Sequence, residues 1–66
     1  MMYLTEREKQ IMVLRAEGFY QTEIAKKLYL SIQTVKLHTL HTYQKLNARN
    51  ATQAMYLALK NELIEL

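Results

Sequence analysis

Apolar residues fall along this chain in four short runs, each repeating at the spacing of about 3.6 residues that lines up one side of an α-helix. The first run, "LTEREKQIMVLRAEG", carries its own start and stop. Thr5 is placed to cap a helix, Glu8 reaches back to close a capping box, and Gly18 supplies the left-handed residue that ends it. Ile11, Met12 and Leu14 form the inward stripe. "QTEIAKKL" predicts a short second helix with Ile24, Ala25 and Leu28 inward. After the tight connection "YLS", Ser31 caps a third helix from Ile32 to Leu46. "NARNATQA" then breaks the pattern: Asn47 tolerates the left-handed conformation, and Asn50 with Gln53 forms another capping box. A fourth helix follows from Ala51 to about Lys60, with Asn61 as its C-cap and Leu63 folding back over that end.

The third helix is the odd one. Ile32, Val35, Thr39, Thr42 and Leu46 stack on one side, while Leu37 and Leu40 fall opposite, beside Gln33, Lys36, His41 and Gln44. Two leucines on a solvent side ask for something to cover them. The absence of proline, the single glycine and the lack of any period-two stretch predict an all-α fold of helices joined by tight turns. Sixty-six residues allow one small domain, 1–66, with one modest core. The short-long pair of helices at residues 21–46 is the helix-turn-helix arrangement, and the small Ala25 allows a close crossing against the compact Val35. Helical pattern alone fits an ordinary four-helix bundle equally well.

Composition narrows the chemistry. Half the residues are apolar, too many for a disordered polar tail. With no cysteine there is neither a disulfide framework nor a cysteine zinc site. His38 and His41 lie i,i+3 with no third ligand in the pattern, so no metal or cofactor is expected. No apolar run approaches the length of about 20 that crosses a bilayer, and no signal peptide follows Met1; a cytoplasmic, nucleoid-associated protein is expected. No Ser-His-Asp arrangement, carboxylate pair or phosphate-binding glycine loop suggests an enzyme. The net charge of +3 is unevenly spread. From Ile24 through Asn61 there is no acidic residue, while Lys26, Lys27, Lys36, Lys45, Arg49 and Lys60 all fall there. Such asymmetry suits a polyanion, although a solvated cationic surface has the same composition.

In order and spacing, "LTEREKQIMVLRAEG", "EIAKKLYLS", "TVKLH" and "KLNARNATQA" resemble the LuxR-type, GerE-like DNA-binding domain, from Leu4 to Ile64. The resemblance implies a four-helix helix-turn-helix domain that binds double-stranded DNA sequence-specifically as a homodimer. It also implies regulation of bacterial transcription, with RNA polymerase as a further candidate partner. Many members are the C-terminal output of a larger regulator; a methionine just ahead of the motif gives the expectation of a stand-alone member. By position, Ser31, Thr34 and His38 match the third-helix pattern S-x-x-T-V-K-x-H, and Val35 takes its buried slot. Lys36 matches the basic residue directed at bases or phosphate, and Leu37 and Leu40 match slots facing the groove.

A major groove accepts a helix, and an apolar side chain can cover a thymine methyl. The expected base-reading set is therefore Gln33, Lys36, Leu37 and Leu40, with Gln33 and Gln44 able to donate to adenine edges or phosphates and a site rich in A·T pairs. Ser31, Thr34, His38, Lys26, Lys27, Lys45 and Arg49 are candidates for the DNA backbone. Alternatives stay open for three of these assignments. Leu37 and Leu40 also suit a protein partner, Ser31 and Thr34 suit a plain cap, and His38 suits a buried hydrogen bond.

"AMYLALK" in the fourth helix is apolar around nearly its full circumference. In the family this helix forms the dimer seam, which assigns Ala54, Met55, Leu57 and Ala58 to the interface, with Tyr56 and Leu59 shared between core and partner. A greedy core in a small domain explains the same residues. Two-fold pairing predicts an imperfect inverted repeat as target. Two departures from the family pattern bear on the fold. Tyr20-Gln21 replaces the usual cap of the second helix, so that helix is expected to start at Thr22 or to be poorly capped. Thr42 stands where a larger aliphatic is usual, which thins the core by about 1 kcal/mol. The competing function is a small helical adaptor that binds another regulator instead of operator DNA.

Overall fold

A computed structural model describes residues 3–66 and contains four helices: α1 (Glu6–Ala16), α2 (Gln21–Leu28), α3 (Ile32–Leu46) and α4 (Ala51–Lys60). Their starts follow side-chain chemistry. At α1, Thr5 Oγ1 accepts the Glu8 N–H at 3.2 Å and Glu8 Oε1 accepts the Thr5 N–H at 2.8 Å, which is the predicted capping box. At α2 the helix starts at Gln21, one residue before Thr22. Tyr20 offers no oxygen to the first turn, so Glu23 does the capping: its Oε1 accepts the Tyr20 N–H at 2.8 Å. Ser31 Oγ accepts the Thr34 N–H at 3.1 Å, and Asn50 Oδ1 accepts the Gln53 N–H at 2.9 Å. The return arm of that last box differs from expectation. Gln53 Oε1 accepts the N–H of Arg49, at 2.6 Å, and not that of Asn50.

All four helices end the same way. One residue at each end turns to positive φ: Gly18 (101°) and Glu62 (56°) just after the cap, Tyr29 (58°) and Asn47 (54°) as the cap itself. The next N–H then bonds back to a carbonyl five residues earlier: Phe19 to Leu14, Leu30 to Ala25, Ala48 to Tyr43 and Leu63 to Ala58, at 2.8–3.1 Å. This is the Schellman ending, and its apolar follow-on residue packs inward at each one. Gly18 and Asn47 were legible as left-handed positions. Tyr29 and Glu62 were not, because neither side chain favours that conformation.

The interior has two parts, both built on α3. Ile11, Ile24, Ala25 and Val35 close the space between α1, α2 and α3. Leu4, Met12, Leu46, Ala54, Ala58 and Ile64 close the space between α1, α3, α4 and the C-terminal segment. Val35, Thr39, Thr42 and Leu46 of the predicted stripe are buried, and Ile32 is half-buried. The two threonines keep their hydroxyls satisfied on α3 itself: Thr39 Oγ1 donates to the Val35 carbonyl at 2.9 Å and Thr42 Oγ1 to the His38 carbonyl at 2.8 Å. Thr42 thus gives up apolar volume without leaving a buried polar atom unpaired.

One charged contact joins distant parts of the chain. Glu8, only 3% exposed, accepts Lys45 Nζ at 2.7 Å, and the ammonium also lies 5.2 Å from the centre of the Tyr3 ring. Burial alone would push the Glu8 carboxyl up. The Lys45 hydrogen bond, the Thr5 N–H, the Lys45 charge and the Thr5 hydroxyl together outweigh it and hold the carboxyl below the ordinary glutamate value. The start of α1 is thereby pinned to the last turn of α3.

Candidate nucleic-acid interface

The N-terminal end of α3 is fixed by its cap and its flank by Val35, which is wholly buried. With that side turned inward, the helical repeat turns Gln33, Leu37, Leu40 and Gln44 outward in a row, all of them exposed. Leu37 and Leu40 each keep 51% of their surface in solvent. Exposed Lys36 lies on one flank of the row, and exposed His41 lies on the other with Thr34. Ser31 and Thr34 stand together at the helix start, their hydroxyl oxygens 2.9 Å apart. Ser31 is therefore a working cap and Thr34 its partner. Their position over the first N–H groups of α3 is compatible with an anion as well. His38 is half-buried, and its ring hydrogen-bonds to none of the described residues.

The cations expected at the DNA backbone separate into two groups. Lys26, Lys27 and Arg49 are exposed. Lys27 also lies over the Phe19 ring, 4.5 Å from its centre, which orients it without neutralising it. Lys45 is different. Its pairing with buried Glu8 turns it toward α1 and offsets its charge, although its side chain stays 36% exposed. Its partner lies 37 residues away in sequence, where helical spacing gives no hint of it.

A second outward apolar surface lies on α4. Here the expected seam needs correction, because Ala54 and Ala58 are both 0% exposed. They are small because α4 lies close against the rest of the subunit, and no partner can reach them. Leu57 is half-buried and packs on the same interior. Of the expected set, Met55 keeps an outward surface and borders an open groove of about 450 Å³ between α1, α3 and α4. The groove is edged by Met12, Tyr43, Met55, Tyr56 and Leu59, with Arg15 at its rim. Tyr56 and Leu59, expected to be shared between core and partner, are both exposed. With Ala54 and Ala58 as the inward pair, Thr52, Tyr56 and Leu59 occupy the opposite side of α4.

Helix order, turn chemistry and the outward row of α3 together describe a helix-turn-helix unit. The pattern that defines the bacterial regulatory proteins of the luxR family, GerE, matches residues 2–58. The chain belongs to the LuxR family. It is 40% identical over 62 residues to the oxygen regulatory protein NreC of Staphylococcus carnosus, covering 94% of this chain and 29% of that protein. The response regulator protein VraR of Staphylococcus aureus is likewise 40% identical over 62 residues, covering 94% of this chain and 30% of VraR. The chain thus spans less than a third of these two LuxR-family relatives. Among solved structures, the transcription factor GerE superposes with a TM-score of 0.90 at 31% identity, covering 94% of this chain and 92% of that one. The response regulator ChrA of a heme-sensing two-component system superposes with a TM-score of 0.89 at 36% identity, covering 97% of this chain and 32% of that one.

Proposed function

We propose that this LuxR-type domain binds double-stranded DNA with α3 in the major groove and regulates transcription as a two-fold dimer. The observation that carries the reading is the outward row of α3. Leu37 and Leu40 stand exposed between an unpaired amide and Lys36, on a stretch from Ile24 to Asn61 that holds no carboxylate. Leucine side chains cover thymine methyls, Gln33 matches an adenine edge, and Lys36 reaches guanine O6/N7 or a phosphate. Ser31, Thr34, Lys26, Lys27 and Arg49 supply the backbone contacts, and His38 stands at the edge of that set. The seam runs through Met55, Tyr56 and Leu59 across the groove beside α4. Two-fold pairing there puts two copies of α3 on an imperfect inverted repeat.

Fluorescence anisotropy on a labelled duplex, titrated with salt, tests the first half of this reading. Phosphate neutralisation gives a steep negative slope of log affinity against log salt. Selection from a random duplex library tests the rest, and a recovered two-fold motif is the expected result. A flat salt dependence with no enriched sequence would overturn the proposal and favour an adaptor that binds another protein.

A further inference from the structure

Of the eight side-chain amides of this chain, three (Asn50, Gln53 and Asn61) bond within the fold, on helix ends. The other five (Gln10, Gln21, Gln33, Gln44 and Asn47) hydrogen-bond to none of the described residues. Of these, only Gln33 and Gln44, both exposed, lie on the outward row of α3, and they are its two ends. Eleven residues make three helical turns to within about 20°, so these two amides lie on one line about 16 Å apart, with Leu37 and Leu40 between them. At about 3.4 Å of axial rise per step, that line covers at most about five base pairs, and fewer as the helix inclines to the duplex axis.

The two ends of α3 differ electrically. The N-terminal end presents unpaired N–H groups, which attract phosphate, whereas the C-terminal end presents carbonyls, which repel it. The nearest cation at the C-terminal end, Lys45, is held by Glu8. An uncharged amide near that end is suited to a base edge and poorly suited to a phosphate. We propose that Gln44 is a further specificity-determining residue, reading an adenine edge at the border of the half-site. Gln33 closes the other border, and the two leucines cover methyl groups between them. The inference rests on the major-groove placement of α3 and adds to it a longer half-site.

The test compares the sequences selected from a random duplex library by the unaltered chain, by Gln44→Ala and by Gln44→Glu. Circular dichroism confirms the helix content of each; an exposed position on α3 tolerates both residues. The unaltered chain is expected to select adenine at one border position. Gln44→Ala should lose that preference alone and bind the original site about tenfold more weakly. Gln44→Glu should move the same position toward cytosine, whose amino group a carboxylate accepts. If Gln44→Ala returns the unaltered motif at unaltered affinity, the proposal is wrong. A uniform loss on every duplex would also overturn it, as the mark of a phosphate contact. Failure of the unaltered chain to select any motif would instead remove the major-groove reading and this inference with it.

Discussion

α3 and α4 both leave apolar side chains in solvent, yet they frame them differently. On α3, Leu37 and Leu40 are exposed between Gln33, Gln44 and Lys36, on the convex surface of the helix. On α4, Met55, Tyr56 and Leu59 border a concave opening of about 450 Å³ whose other edges are also largely apolar. A convex row with amides and a cation complements a polar furrow carrying methyl groups. A concave apolar surface complements another apolar surface. Exposure alone does not tell the two apart; what surrounds the exposed carbon does.

The largest effect that sharpens this contrast is expected on α4. Tyr56→Asp places a charge where an apolar partner is proposed, and should weaken self-association by about 2 kcal/mol, close to thirtyfold. Analytical ultracentrifugation measures it, and an unchanged dissociation constant would remove α4 from the seam. Next comes Glu8→Ala, which leaves Lys45 unpaired and loosens the tie between α1 and α3. Because the Lys45 side chain remains 36% exposed, the expected cost is held to about 1–2 kcal/mol in urea unfolding. The pH dependence has a definite sign. With its carboxyl depressed in the folded state, Glu8 contributes its full stability above the ordinary value of about 4.3 and loses it as pH falls through the lower folded value. Melting curves of Glu8→Gln should therefore fall less on acidification below about pH 4 than those of the unaltered chain.

Smaller again is Leu37→Ala on the α3 side. It should cost about 1 kcal/mol on the preferred duplex, about fivefold in affinity, and relax base preference while thermal stability and self-association hold. Loss of self-association with base preference intact would invert the assignment of the two surfaces. The smallest expected effect belongs to the turn between α2 and α3. Tyr29 is 96% exposed at a φ of 58°, so Tyr29→Gly removes left-handed strain and forfeits little packing. Set against the added chain entropy of glycine, a gain of about 0.5 kcal/mol in unfolding is expected.

Much of the fold was legible in sequence because its signals are local. Thr5 with Glu8, Ser31 alone and Asn50 each mark a helix start within three residues, and the alternation along α3 fixes which side is interior. The failures came where a distant contact or an unfavourable residue decided the outcome. Lys45 reads as a free cation until α1 brings Glu8 to it. Ala54 and Ala58 read as an invitation to a partner until α4 is seen lying against its own subunit. Tyr29 and Glu62 turn left-handed because the backbone bonds and apolar follow-on residues of the helix endings overrule their own preference.

The row on α3 lies outside the buried core: exchanging Gln33, Leu37, Leu40 or Gln44 removes no fully buried side chain and strands no buried polar atom. Under the proposed reading, the address is written on a part of the molecule on which the scaffold makes little demand. A library randomised at those four positions, proline excluded, should remain folded almost throughout, so that on the proposed reading retargeting this chassis becomes a problem of vocabulary and leaves its architecture alone.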